Sequence, residues 1–155
     1  MENRLGEALA SGCFAVTIEV VPPGRDRTLA EGLVPALALA GALAGDPRVA
    51  GMSVTDRVRS DDDHDPVSVA AALGRVSGKT PMVHLSGKDR GPAQLARSLG
   101  ALADAGIDNV LCVTGDRLKV APADRPVRYL DSVDAVRLAR GLLPGALIAA
   151  GVSPF

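Results

Sequence analysis

Met82-Val83-His84-Leu85, the Ala- and Leu-rich stretch Pro92–Ala105, and Asn109-Val110-Leu111-Cys112-Val113 decide the fold. The two short runs are almost continuously apolar and rich in β-branched residues, as in strands buried on both faces of a parallel sheet. Between them lies a helical stretch. Pro92 suits its first turn, where no N–H is needed, and Gly106 suits the left-handed conformation that follows a helix ending at Ala105. The segment therefore reads as one βαβ unit.

The same alternation continues in both directions. Strands are predicted at Phe14–Val20, Gly51–Val54, Met82–Leu85, Asn109–Val113 and Leu147–Val152, and helices at Leu5–Ala10, Leu29–Ala44, Pro66–Gly74, Pro92–Ala105 and Ser132–Leu142. With Phe14, Gly51, Met82, Val110 and Leu147 as markers, successive strands lie 37, 31, 28 and 37 residues apart, which suits βαβ crossovers. Pro66 fits a first turn, Asp131 or Ser132 can cap the last helix, and Pro35 must occupy the first turn of its helix or bend it. No linker or low-complexity tract divides the sequence, so residues 1–155 read as a single α/β domain.

Composition narrows the function. The 155 residues are 47% hydrophobic and 23% charged with a formal net charge of −1, enough for a real core and without the basic run that nucleic acid or an anionic membrane would call for. Aromatic residues make up 2%, too few for base-stacking platforms. The longest uncharged apolar stretches, Gly32–Gly45 and Gly141–Phe155, fall short of the ~20 residues of a membrane-spanning helix. The charged start, Met1–Glu7, lacks a secretory h-region, and a cytoplasmic protein is expected. Cys13 and Cys112 lack metal-site spacing and are expected as reduced thiols.

Two architectures accommodate five parallel βα steps: an open doubly wound sheet, or part of a (β/α)8 barrel. Length alone favours the first, because a complete barrel takes ~250 residues and about five of its eight units would fit here. In both, ligands sit at the carboxyl ends of the strands. Glu19 falls in an apolar run, where burial would raise its pKa towards that of a general acid; pairing with an Arg or exposure at the strand end is the plainer reading. Thr55-Asp56-Arg57, His84-Leu85-Ser86-Gly87-Lys88-Asp89-Arg90 and Thr114-Gly115-Asp116-Arg117 end the next three strands. Gly115 would let backbone N–H groups approach a ligand, and Asp116 could accept from a ligand N–H. Each of these also reads as turn chemistry, with Lys88-Asp89-Arg90 as a solvated loop with local pairing. His84 is either a donor to a cofactor or a satisfied structural residue.

Two motifs are set aside. Ser60-Asp61-Asp62-Asp63-His64-Asp65 has oxygen ligands but lacks the glycine and distal Glu of a calcium loop, so it reads as a solvated loop, and no metal site is predicted. Gly74-Arg75-Val76-Ser77-Gly78-Lys79-Thr80 has three residues between its glycines instead of a P-loop's four, and it follows a helix. No G-x-G-x-x-G opens a helix after a strand, and no G-x-S-x-G suggests a nucleophile elbow.

The strand-end residues, taken in order, resemble the methylenetetrahydrofolate reductase family. The resemblance rests on Thr17-Ile18-Glu19-Val20-Val21-Pro22-Pro23, Ser53-Val54-Thr55, His84-Leu85-Ser86, Asp108-Asn109-Val110-Leu111-Cys112-Val113-Thr114-Gly115-Asp116 and Tyr129-Leu130-Asp131-Ser132, and runs from about Phe14 to the end of the sequence. It implies a TIM-type barrel, here about five of eight (β/α) units, carrying FAD. The implied reaction is reduction of 5,10-methylenetetrahydrofolate to 5-methyltetrahydrofolate with NAD(P)H as electron source. By similarity Glu19 is the general acid, protonating the folate amine as its ring opens to an iminium that accepts hydride from flavin N5, in an environment that raises its pKa. Asp116 lies near the flavin N1 and C2 edge and tunes hydride donation. Thr55, His84, Thr114, Gly115 and Tyr129 hold the flavin ring or its phosphate-ribityl arm.

The sequence departs from the family pattern at Thr114, where many members have Arg, and at Val21, where they have Phe. It ends in Ala149-Ala150-Gly151-Val152-Ser153-Pro154, which resembles the fifth strand, so the later flavin and folate contacts of the family have no counterparts here. Some relatives work without tightly held FAD or with a partner subunit. Two alternatives to the catalytic reading stand beside it: a non-catalytic half-barrel completed by another polypeptide or by self-association, and an unrelated small α/β ligand-binding domain.

Overall fold

The structure, a computed structural model, describes residues 1–56, 63–88, 90–115 and 130–151. The elements alternate strictly after a short leading helix: α1 (Arg4–Ala10), β1 (Val16–Val20), α2 (Leu29–Leu43), β2 (Val49–Val54), α3 (Pro66–Ser77), β3 (Met82–Ser86), α4 (Pro92–Asp104), β4 (Asn109–Val113), α5 (Ser132–Leu142) and β5 (Leu147–Ala150). All five strands are parallel and lie in the order β1-β2-β3-β4-β5. That order decides between the two architectures. A doubly wound sheet reverses direction at a switch point, whereas each strand here adds beside the last, as in a TIM-type barrel. The open sheet favoured by length is thereby corrected.

Most element boundaries follow local chemistry. Thr28 caps α2 in a reciprocal box with Glu31, Asp65 caps α3 by accepting from the Ser68 N–H at 2.9 Å, and Asp131 caps α5 by accepting from the Asp134 N–H at 2.8 Å. Gly78 and Gly106 take left-handed conformations just past α3 and α4, at φ +72° and +65°. Pro35 lies inside α2 beyond its first turn, so the Glu31 carbonyl loses its helical donor there. Two expectations shift. Phe14 is 92% exposed and precedes β1, and Gly74 is buried within α3, which runs on to Ser77.

Leu33, Leu73, Leu85, Leu95, Leu99 and Leu102, with Val54, Val69, Val83 and Val110, make the core between the sheet and the α2–α5 layer. Each fully buried leucine contributes up to roughly 2 kcal/mol. The opposite face is less well covered. β1 and β5 are largely half-buried, with Glu19 and Ala150 exposed, so the expectation of strands buried on both faces holds for β2 and fails at the two outer strands. An outer strand lacks a neighbour on one side, and nothing among the described residues covers its inner face.

The strands are staggered. One row of paired residues runs Glu19, Ser53, Met82, Asn109, Leu147, passing from near the end of β1 and β2 to the first residues of β3, β4 and β5. Barrel-type sheets tilt their strands in this way. Its largest step falls between β2 and β3, which pair only at Ser53 with Met82 and Val54 with Val83.

Candidate functional site

Parallel topology brings the carboxyl ends of β1 to β4 to one end of the sheet, and the polar strand-end residues gather there. Glu19 is exposed on the inner face and makes no hydrogen bond or ion pair with another described residue. Exposure, not burial, is thus the outcome for this carboxylate. His84, two residues beyond the Met82 that shares the Glu19 row, is half-buried. Burial holds its pKa below the usual 6.5, while the charges of Glu19 and Asp56 act in the opposite direction.

Thr55 follows β2 directly. Its backbone N–H donates to the Val20 carbonyl at 3.1 Å, which extends the β1–β2 ladder by one step. Its side chain is different: the residue is 7% exposed, and Oγ1 has no hydrogen-bond partner among the described residues. Buried hydroxyls are nearly always satisfied, so an orphan at the carboxyl end of a barrel-type strand marks a place where a ligand group can complete the bond.

Thr114 and Gly115 follow β4. Thr114 is exposed, and its Oγ1 accepts from the Ser132 N–H at 3.2 Å, tying the start of α5 to the end of β4. Gly115 sits at φ +83°, and a Cβ there would approach the Cβ atoms of Lys88 at 2.9 Å and Ser86 at 3.0 Å. Only glycine suits both the conformation and the space. Gly87 is equally constrained, because a Cβ on it would overlap the Leu130 carbonyl oxygen. Its N–H donates to Val113 O and its carbonyl accepts from Leu130 N–H, so the segments after β3 and β4 are knit together. Asp116 and Tyr129, the other two expected flavin contacts, lie outside the described residues.

The sequence reading missed the contact that organises this end. The side chains of Asp56 and Arg90 are 1% and 14% exposed and pair in a fork, with Nη1 to Oδ2 at 2.5 Å and Nη2 to Oδ1 at 3.2 Å. Asp56 Oδ2 also accepts from the Ser86 N–H at 2.8 Å. Arg90 therefore pairs 34 residues away, and the reading of its loop as locally paired is corrected. Of the acidic run, residues 60–62 lie outside the described residues, Asp65 is a helix cap, and His64 Nε2 is 3.0 Å from the Arg27 carbonyl. Among the described residues no three His, Cys, Asp or Glu side chains gather as a metal site. Both cysteines are free, Cys13 exposed and Cys112 buried, and burial pushes the Cys112 thiol up to about 11.

Sequential (β/α) units with an orphaned hydroxyl and titratable side chains at the carboxyl ends of the strands define an enzyme scaffold of the TIM type. The family model for methylenetetrahydrofolate reductase matches residues 4–149, and the chain belongs to that family, which is one of oxidoreductases whose members are generally flavin-dependent. Membership sets aside the unrelated ligand-binding domain. No curated protein matches the chain. Among the described residues no helix is long and apolar enough to cross a membrane.

Proposed function

We propose that the chain serves the flavin-dependent reduction of 5,10-methylenetetrahydrofolate to 5-methyltetrahydrofolate with NAD(P)H, with Glu19 as the general acid. The observation that carries the reading is the meeting of Glu19, His84 and the orphaned Thr55 hydroxyl at the carboxyl ends of adjacent strands in a chain of this family. The described residues fit a planar cofactor rich in hydrogen-bonding edges. Thr55 Oγ1, without a partner among the described residues, can bond one edge, His84 offers a ring nitrogen, and Gly115 turns the end of β4 without a side chain. Thr114 contributes less directly, since its hydroxyl holds the start of α5. Asp116 and Tyr129 complete the proposed set.

Flavin held there, once reduced by NAD(P)H, would supply the hydride. Glu19 supplies the proton: its carboxyl protonates the folate amine as the five-membered ring opens, and an acid able to reach substrate must stand, as Glu19 does, on the open inner face. Because Glu19 is exposed, the ligands themselves must exclude water from it. The incompletely covered inner face of β1 and β5 supports a second copy or partner subunit that completes the enclosure, in which case the chain alone is inactive.

A 300–550 nm absorption spectrum with and without added FAD tests flavin retention. In the assembled, active form Glu19→Gln is expected to lower folate reduction by about 10³-fold while flavin reduction by NAD(P)H stays close to wild type. Equal loss of both half-reactions overturns the role given to Glu19.

A further inference from the structure

The sheet consists of two extensively paired parts joined by a short seam. β1 and β2 pair over five positions and β3 and β4 over five more, but β2 and β3 share only two, because β3 begins where β2 is ending. Beyond Val54 and Val83 no ladder joins them. Ser86 nevertheless has its N–H on the Asp56 carboxylate at 2.8 Å, and its carbonyl accepts from Arg90 Nη1 at 3.3 Å. On its far side β3 is held conventionally, with Gly87 N–H donating to Val113 O at 2.8 Å. An acceptor and a donor fixed to each other by a bidentate ion pair thus occupy the place of a backbone rung.

We propose that Asp56 and Arg90 are positioning residues, a side-chain substitute for the missing β2–β3 rung that sets the spacing between Glu19 and Thr55 on one part and His84 and Gly115 on the other. A buried ion pair is a poor way to gain stability, since desolvation offsets most of its attraction. It is a good way to fix geometry, because a planar fork against a carboxylate tolerates little movement. The catalytic weight of this inference rests on the function proposed above. The spacing itself can be tested without flavin or folate.

The test uses the charge of Glu19 as a ruler. Of the described groups around His84, Glu19 from β1 and Asp56 after β2 act on it electrostatically, while its register partner on β4 is Leu111. In a His64→Gln background, which leaves one imidazole, the His84 pKa is measured by NMR with and without Glu19→Gln, in the wild type and in Asp56→Ser, Asp56→Asn and Arg90→Lys. The double difference cancels the direct effect of removing Asp56. Loss of the rung is expected to cut the Glu19-induced shift by about twofold or more in Asp56→Ser, as distance weakens the coupling. Asp56→Asn keeps an acceptor for the Ser86 N–H but loses the charged fork with Arg90, so its shift should fall between those of the wild type and Asp56→Ser. An undiminished shift in folded Asp56→Ser overturns the proposal. Should that variant fail to fold by circular dichroism, Arg90→Lys decides, with a reduced shift supporting the rung and an unchanged one rejecting it. If the shift behaves as expected but Glu19→Gln leaves folate reduction intact, the reaction fails and the rung stands.

Discussion

The two ends of the sheet treat buried polar groups in opposite ways. At the amino ends every buried side-chain polar atom among the described residues is answered. Lys79 is buried, and its Nζ donates to the carbonyls of Leu43 at 2.9 Å, Asp46 at 2.8 Å and Val49 at 2.7 Å. Asn3 and fully buried Asn109 exchange amide hydrogen bonds at 2.9 and 3.0 Å, and Asn3 also caps α1 through the Gly6 N–H. Glu2 bridges to Gly78 and Thr80 through its backbone. At the carboxyl ends Thr55 Oγ1 has no partner among the described residues, Glu19 is exposed, and the ladder between β2 and β3 is replaced by an ion pair. One end satisfies its buried polar groups internally, and the other leaves bonds to be completed by something the described residues do not include. Barrel enzymes divide their ends in this way.

The largest expected effect breaks the closed end. Lys79→Met preserves length and apolar contact but takes a charged donor from three carbonyls, of which Leu43 O and Asp46 O keep a backbone donor (the Asp46 N–H at 3.1 Å and the Val49 N–H at 3.3 Å). The Leu43 carbonyl is at the end of α2, where a cation also answers the helix dipole. Burial holds the Lys79 pKa below its usual value, so part of the gain is already spent on desolvation. A net loss of about 2 kcal/mol is expected in urea unfolding, because charge-assisted hydrogen bonds to buried acceptors are lost while the Leu43 and Asp46 carbonyls keep their backbone donors. A loss below about 1 kcal/mol would show that backbone donors and water satisfy these carbonyls without Lys79 and that the contrast between the ends is weaker than the geometry implies.

The contrast was only partly legible in the sequence. The βα alternation placed every strand and helix, because apolar runs and caps such as Asp131 and Gly106 act locally. Strand order was not local information: the same alternation builds doubly wound sheets, and chain length pointed towards one until the family resemblance supplied the barrel. Thr55, His84 and Gly115 could be placed at the carboxyl end of the sheet because parallel strands must share that end. The Asp56–Arg90 pair could not, since it depends on the stagger between β2 and β3, and no spacing between residues 56 and 90 encodes that. Lys79 belonged to a motif set aside as a phosphate loop, and its burial against the end of α2 had no sequence signature either.

A middle-sized effect, opposite in sign, sharpens the comparison at the open end. Thr55→Val replaces an orphaned hydroxyl by a methyl group of similar shape. The variant is expected to be more stable than the wild type by about 1 kcal/mol, since an unsatisfied buried hydroxyl costs more than its apolar isostere. On the function proposed above it also weakens FAD retention by about tenfold, the equivalent of one hydrogen bond of ~1.4 kcal/mol. Stability rising while flavin affinity falls is the signature of a group held ready for a ligand. Destabilisation by the same change would mean that the hydroxyl is already satisfied.

The smallest effect is one of slope. Because burial holds the folded-state pKa of His84 below 6.5, the unfolded chain takes up this proton first as pH falls. Between 6.5 and the lower folded value the unfolded state binds more protons, so this histidine makes stability decline on acidification and contributes no further change below that window. His84→Gln should flatten that part of the profile, measured by urea unfolding between about pH 7.5 and about pH 5.5, and leave stability at the upper limit nearly unchanged. A variant that follows the wild-type profile throughout would mean that the charges of Glu19 and Asp56 already balance the burial, and that His84 sits at the open end as comfortably charged as neutral. A flattened profile would instead identify the neutral imidazole as the form the folded site prefers, able to accept as well as donate a hydrogen bond at the face where Thr55 also lacks a partner.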